Sequence, residues 1–253
     1  MTVKKYTEFY MPSVQERNTL SFGQLKDAAG VLQGAVVGLG QLRKTVTPER
    51  MMEIAQELPR HNSTQYINNG ALTEAYFAKA KDSLEDPHLY VVVSNTGSAA
   101  SEIISVFTRK QYNHASLSFD RDLKTIISYN GGEKVYPPGL NQEMIEFFNK
   151  KEDSSLIVYQ LDASREQKEL LIDKVLEINE HGSAYNMLGL VLRTSLKPNI
   201  MFCSQFVYNM LRNAGLAYFE KADGQVKPTD LVELDYHRKL SFCYEIFLGR
   251  RQD

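Results

Sequence analysis

Residues 113–119 read Asn-His-Ala-Ser-Leu-Ser-Phe, and the architecture of the chain follows from their pattern. Polar and apolar side chains alternate along the segment, as in a β-strand whose two faces differ. Residues 120–122 are polar and a second β-prone run follows at residues 125–130, so the two runs predict an antiparallel hairpin. His114 lies on the polar face of the first strand. The apolar face, which we expect to pack in the core, consists of Ala115, Leu117 and Phe119.

Around this hairpin, strands and helices are mixed without regular alternation. The β-branched run at residues 88–94 predicts a buried strand. Further strands are predicted at residues 155–161 and 240–248, and helices at residues 98–107, 140–150, 164–179 and 203–213. An irregular order of this kind favours an α+β fold over a doubly wound parallel sheet.

Residues 1–86 have mostly helical sequence patterns, unlike the mixed patterns of the rest, and predict a helical extension that precedes a domain at residues 87–253. Helical periodicity is found at about residues 47–58 and again at about residues 69–84. The sequence therefore predicts two parts, of which the second contains the sheet.

Within the extension, Gly30, Gly34 and Gly38 recur at every fourth position. In a helix these glycines share one face, which would let another backbone approach closely. A tightly packed helix or a glycine-rich loop is the favoured interpretation. The alternative is an oligomer contact or a weak contact of residues 20–44 with a membrane surface.

The composition is that of a globular protein, since 43% of the 253 residues are hydrophobic and 24% are charged. The net charge of −2 comes from interspersed charges, so no nucleic-acid partner is expected. Cys203 and Cys243 are the two cysteines, and a reduced setting is a simpler interpretation than a single bridge. Because neither a signal-like segment nor an apolar run of about 18 residues is present, we expect the protein in the cytoplasm.

Cys203 is the most informative single position. The breaker Pro198-Asn199 precedes it, and Phe206 and Val207 begin an apolar helical stripe three and four residues later. Cys203 is therefore predicted at the first turn of a helix, where the helix dipole favours the thiolate form. The alternative is a small buried core residue, a common role for a free cysteine. Cys243, in the last predicted strand, is interpreted as buried and inert.

His114 is the candidate base for this thiol, because a histidine on the polar face of a strand can reach a helix end. A base needs a partner that orients its second ring nitrogen. The hairpin offers Ser128 and Asn130 opposite His114, and neither is a carboxylate. The two cysteines and five histidines show no metal-ligand spacing, so no metal or other cofactor is expected.

Five segments occur in an order that resembles a known family. They are YNHAS at 112–116, Gly131-Gly132, AYNMLGL at 184–190, FCSQFV at 202–207 and KPTDL at 227–231. Together they resemble the YiiX/YebB-like branch of the NlpC/P60 superfamily, the circularly permuted papain-like cysteine hydrolases. The resemblance covers about residues 88–249 and implies an antiparallel sheet packed on helices.

The resemblance implies Cys203 as the nucleophile and His114 as the general base. The third polar residue of the family, usually Glu or His, corresponds to Ser128 here, which is a departure. Tyr185 precedes the cysteine helix and either lines the cleft or packs in the core. Ser204, next to the nucleophile, is grouped with Tyr185 as a substrate-binding residue.

The function implied is cleavage of an amide, peptide or related acyl bond through a thioester intermediate. One alternative is a lipid thioesterase or acyltransferase of the same fold, docked on a membrane through residues 20–44. A second alternative is a catalytically degenerate binding protein, for which the missing acidic partner of His114 is the sequence support. The oligomeric state cannot be inferred from the sequence.

Overall fold

The computed structural model describes residues 61, 65–95, 112–132, 135–145, 154–186 and 197–248. Several predictions lie outside these residues: the glycine pattern at 30–38, the membrane-contact segment at 20–44, and the helices at 47–58 and 98–107. The described part of the chain has an α+β fold with an antiparallel sheet, as the irregular order of elements predicts.

The main sheet has six strands in the order β4-β3-β2-β1-β5-β8, and every neighbouring pair is antiparallel. Its strands are β1 (His88–Ser94), β2 (His114–Ser118), β3 (Ile127–Asn130), β4 (Gly139–Gln142), β5 (Ser155–Asp162) and β8 (Leu240–Phe247). The strands predicted at residues 88–94, 113–119, 125–130, 155–161 and 240–248 are thereby confirmed. The fourth strand of the chain, β4, was not predicted.

Both faces of the sheet are covered, which explains the continuous apolar run of β1. Leu89 and Val91 join the larger core cluster on one face, whereas Tyr90 and Val92 join a smaller cluster on the other. The predicted core residues of β2 lie in the larger cluster. The polar face of β2 is also buried, since Ser116 is 0% exposed.

The three helices of nine or more residues among those described all contribute side chains to the larger cluster: α1 (Glu74–Asp82), α2 (Arg165–His181) and α3 (Cys203–Asn213). Ser164 caps α2 with a reciprocal pair of hydrogen bonds to Gln167, so the helix begins where the sequence predicts. The start and end of α3 also agree with the prediction. A short helix, α4 (Asp230–Glu233), precedes β8.

The segment before β1 packs in the same core as the sheet. Tyr76 of α1 is 2% exposed and belongs to the larger cluster. Lys168 of α2 is fully buried, and its ammonium donates to the carbonyls of Ser83, Asp86 and Phe119 at 2.5, 2.9 and 2.9 Å. All three donors of the ammonium are therefore used to join α2 to the chain on either side of β1 and β2.

The helix predicted at residues 140–150 is wrong over its first residues, which form β4 along the outer edge of β3. The cause is a close approach that only glycine permits. A Cβ on Gly139, whose φ is +153°, would lie 2.6 Å from the Ser183 hydroxyl and 2.8 Å from the Asn68 Cβ. Asn68 also donates to the Leu140 carbonyl at 3.2 Å. These contacts hold β4 in the sheet, and Glu143 follows immediately after it.

A second, two-stranded sheet leads into α3. Strands β6 (Ala184–Tyr185) and β7 (Ile200–Met201) are parallel, and Tyr185 pairs with Met201. This pairing brings Tyr185 next to the residues that precede Cys203. In the described part of the chain, no helix has both the length and the apolar character that crossing a membrane requires.

Candidate active site

Cys203 is the first residue of α3 and is completely buried. The preceding residue, Phe202, is extended and caps the helix without a side-chain hydrogen bond. Cys203 therefore lies at the positive end of the helix dipole, in the turn whose backbone N–H groups have no partner within the helix. Downstream, Phe206 packs against the Tyr129 ring of β3 with 5.2 Å between the centroids, which fixes the helix on the sheet.

His114 begins β2 and is hydrogen-bonded to Cys203. The two residues are 89 positions apart in the chain (203 − 114), and the packing of α3 on β2 and β3 brings them together. The imidazole is 7% exposed. The structure thus joins the two side chains that the sequence nominates as nucleophile and base.

Glu143 provides the acidic partner that the sequence interpretation lacks. Its Oε1 lies 2.5 Å from His114 Nε2, and its side chain is only 2% exposed. An ionised carboxylate only accepts hydrogen bonds, so Nε2 carries the proton, and we infer that Nδ1 is the nitrogen that faces Cys203. The side chains of Cys203, His114 and Glu143 form a continuous line of a thiol, an imidazole and a carboxylate.

Two further side chains contact the carboxylate of Glu143. The Ser116 hydroxyl donates to Oε2 at 2.5 Å, and the Asn130 amide donates to Oε1 at 3.4 Å. Both come from the strands of the predicted hairpin. Glu143 therefore has a partner on each carboxylate oxygen in addition to the imidazole.

The electrostatics of the site favour a protonated imidazole. Burial is the largest single influence on the pKa of His114 and lowers it, but the charges of Glu143 and Cys203 and the hydrogen bonds to both act in the opposite direction. Together they raise the pKa of His114 well above its ordinary value of 6.5. A raised value is what a thiolate–imidazolium pair requires at neutral pH.

Tyr185 is buried in the core, which agrees with one of the two sequence interpretations, and it is also adjacent to Cys203. Burial, followed by the charge of Cys203 and hydrogen bonding to it, raises the pKa of the Tyr185 hydroxyl well above 10.0. The buried hydroxyl meets no partner with the geometry of a regular hydrogen bond among the described residues. Its ring makes an edge contact with the His61 ring, with 5.5 Å between centroids.

Three predicted site residues have other roles. Ser128 donates to the Ala115 carbonyl at 2.6 Å and contacts neither Glu143 nor the His114 ring, so the prediction that it orients His114 is wrong. Asn130 also does not reach the ring and acts on Glu143 instead. The Ser204 hydroxyl donates to the Val226 carbonyl at 2.6 Å, which leaves it no donor for a substrate, so the prediction that its side chain binds the substrate is wrong.

Cys243 also differs from the expectation of a buried thiol. It is partly exposed on β8, which forms one edge of the described sheet, and its sulfur donates to Gln160 at 3.3 Å. Both cysteines are free thiols. Among the described residues, no group of three or more His, Cys, Asp or Glu side chains is arranged to hold a metal ion.

Comparisons with protein-family models, with curated proteins and with solved structures give no match. The interpretation of the site therefore depends on its own geometry.

Proposed function

We propose that this protein is a cysteine hydrolase in which Cys203 is the nucleophile, His114 the general base and Glu143 the residue that orients the base. The observation that carries the proposal is the buried line of these three side chains, with 2.5 Å between His114 Nε2 and Glu143 Oε1. The antiparallel sheet and a histidine strand that precedes the cysteine helix are consistent with a permuted papain-like fold of the NlpC/P60 type.

In the first half of the proposed reaction, the proton of the Cys203 thiol passes to His114. The thiolate attacks the carbonyl carbon of the substrate, a carbon–sulfur bond forms, and the carbonyl π electrons move to oxygen. When the tetrahedral intermediate collapses, the bond to the leaving group breaks, and the leaving group takes the proton from His114. Cys203 is then acylated as a thioester.

In the second half, water gives a proton to His114 and its oxygen attacks the thioester carbonyl. Collapse breaks the carbon–sulfur bond, releases the carboxylic acid and restores the thiolate–imidazolium pair. The backbone N–H of Cys203 at the helix start and the Tyr185 hydroxyl are the donors available to the oxyanion. Tyr185 is suited to this role because its hydroxyl has no strong partner to give up.

The favoured substrate is an amide, a peptide or a related acyl compound. The lipid thioesterase or acyltransferase alternative depends on membrane contact by residues 20–44, which lie outside the described residues. The alternative of a degenerate binding protein depended on the lack of an acidic partner for His114. Glu143 removes that support.

The test uses a Cys243→Ser background, in which Cys203 is the one remaining thiol of the chain. The protein is mixed with p-nitrophenyl acetate, and the release of nitrophenolate and the mass of the intact chain are followed together. We expect a burst of product with acetylation of Cys203, followed by slower turnover. Cys203→Ala should abolish both the burst and the acetylation.

Because Cys203 is completely buried, reactivity must be compared between variants rather than with a free thiol in solution. His114→Gln leaves Cys203 unchanged but removes the base, so its burst should be slower by orders of magnitude. Equal bursts in His114→Gln and in the parent would refute the proposal. Labelled phospholipid and a small peptide amide, offered in parallel, separate the lipid alternative from the amidase.

A further inference from the structure

The Glu143 carboxylate accepts hydrogen bonds from two side chains besides His114. We propose that Ser116 and Asn130 are positioning residues that fix the carboxylate of Glu143 in the plane and direction in which it holds His114. The catalytic consequence rests on the proposed function, but the positioning itself does not. Both residues act through Glu143 and neither contacts the reacting sulfur in the described contacts.

The first observation concerns the orientation of the Asn130 amide. Its Oδ1 accepts a hydrogen bond from the backbone N–H of Gly132 at 2.8 Å and from the side-chain amide of Asn141 at 3.1 Å. A backbone N–H can only donate, so the oxygen of Asn130 must lie on that side. Its Nδ2 is therefore fixed toward Glu143, where it donates to Oε1 at 3.4 Å.

The second observation is that Asn141 is itself held in one direction. Its two Nδ2 hydrogens are shared among Asn130 Oδ1 and the carbonyls of Pro137 and Gly139, the last two at 3.1 and 3.2 Å, and these carbonyl oxygens can only accept. On its other side, Asn141 Oδ1 accepts from Asn68 Nδ2 at 2.9 Å. Asn68 is fixed in turn because the same nitrogen donates to Pro137 O at 2.8 Å. The side-chain amides of Asn68, Asn141 and Asn130 are thus each oriented by backbone groups or by one another, and the last of them donates to Glu143.

The third observation is that the Ser116 hydroxyl donates only to Glu143 among the described hydrogen bonds. Its side chain is fully buried and makes one side-chain hydrogen bond, to Glu143 Oε2 at 2.5 Å. Ser116 and Asn130 therefore contact different oxygens of the carboxylate. Two donors on two oxygens prevent rotation about the last side-chain bond, which a single contact with His114 would allow.

The expected effect follows from the geometry. Removing either donor lets the carboxylate turn, and the short contact with His114 Nε2 lengthens. The titratable side chains in contact with this unit are His114, Cys203 and, next to the sulfur, Tyr185. None of them contacts Ser116 or Asn130 in the described hydrogen bonds. The change should therefore reach the thiol only through Glu143 and the imidazole.

The experiment observes the Nε2–H proton of His114 by NMR of the full-length protein with labelled histidine. A hydrogen bond as short as that to Glu143 should give a strongly deshielded, slowly exchanging signal, assigned by its loss in His114→Ala. We expect Ser116→Ala and Asn130→Ala each to move this signal upfield or broaden it. Ser116→Thr, which keeps the hydroxyl, should retain it.

The matched control is Ser128→Ala. Ser128 is a fully buried serine of the neighbouring strand that donates to the Ala115 carbonyl and not to Glu143. This variant should lose stability comparable to Ser116→Ala, measured by thermal unfolding, and keep the His114 signal. In the acetylation assay, Ser116→Ala should lower kcat about tenfold with little change in KM.

The inference is overturned if the wild-type signal is absent, if it is unchanged in both alanine variants, or if Ser128→Ala displaces it equally. Should the wild-type protein acetylate no faster than Cys203→Ala, the proposed function fails, and the NMR comparison still decides whether Ser116 and Asn130 position Glu143.

Discussion

Replacing Glu143 by glutamine tests the centre of the proposal with the smallest change of shape. The side chain keeps its length, but the carboxylate charge next to His114 is lost. Glu143 is 2% exposed and lies 2.5 Å from the imidazole, so solvent cannot take the place of the missing charge. The protonated form of His114 therefore loses more electrostatic stabilisation than the neutral form.

The magnitude can be bounded in two ways. Unit charges about 4 Å apart attract by about 4 kcal/mol at an effective dielectric constant of about 20. A hydrogen bond to a charged group contributes about 1.5 to 3 kcal/mol net. At about 1.4 kcal/mol for each factor of ten, Glu143→Gln should lower the acylation rate by roughly one to two orders of magnitude at neutral pH.

The pH profile should change in a defined direction. Glu143 raises the pKa of His114, so the imidazolium of the wild-type protein persists above pH 6.5 and is lost as the pH rises through the higher folded-state value. In Glu143→Gln, burial remains and the attraction of the carboxylate is gone, so the pKa of His114 falls. The alkaline limb of the acetylation rate should therefore move to lower pH.

The assay is the p-nitrophenyl acetate burst across a pH series, with Cys243→Ser as the common background. Glu245→Gln is a suitable control, since Glu245 lies on β8 and contacts Tyr112 rather than His114. An unchanged rate and an unchanged alkaline limb in Glu143→Gln would show that the carboxylate does not act on the base, and the role assigned to Glu143 would be wrong.

Three further predictions concern single side chains. Tyr185→Phe should lower kcat about 100-fold through loss of an oxyanion donor. Thermal unfolding should show no loss of stability, because the buried hydroxyl has no directed hydrogen bond. A parallel loss of kcat and of stability would make Tyr185 a structural residue only. Gly139→Ala should lower the free energy of unfolding by about 1 to 3 kcal/mol and reduce the burst, since the new Cβ would lie 2.6 Å from the Ser183 hydroxyl. Gly215→Ala, at a residue with φ of +67° and open space around it, should lower the free energy of unfolding by only about 1 kcal/mol and keep the burst. Lys168→Met should lower the free energy of unfolding in urea by about 3 kcal/mol, because one buried and two partly buried carbonyls lose their donor. Lys174→Met, which breaks one exposed ion pair on the same helix, should change it by less than about 1 kcal/mol.

The elements predicted correctly are those whose signals are local. The alternation at residues 113–119, the β-branched run at 88–94 and the Ser164 cap each specify their element within a few residues. Cys203 at the start of α3 follows in the same way from the breaker before it and the stripe after it. The meeting of Cys203 with His114 is not local, and its prediction came from the order of motifs.

Glu143 was missed because β4 has only four residues and a single strong apolar side chain, Leu140. Its strand conformation depends on contacts with distant residues, namely pairing with β3 and the approach of Ser183 and Asn68 to Gly139. Strand pairing within the hairpin points only to the residues opposite His114, which do not include Glu143. Glu143 follows directly after the next strand, β4, and its Oε1 contacts both the His114 ring and the Asn130 amide.

The packing of residues 65–86 bears on how shortened versions of this protein should be prepared. A chain that started at residue 87 would lack Asn68, the first member of the amide series that ends at Glu143, and Tyr76, whose hydroxyl bonds to the Thr125 carbonyl. It would also leave the ammonium of Lys168 without two of its three acceptors. A fragment intended for crystallisation or ligand screening should therefore begin upstream of Asn68, because a cut at residue 87 would remove contacts that hold both the Glu143 region and Lys168 in place.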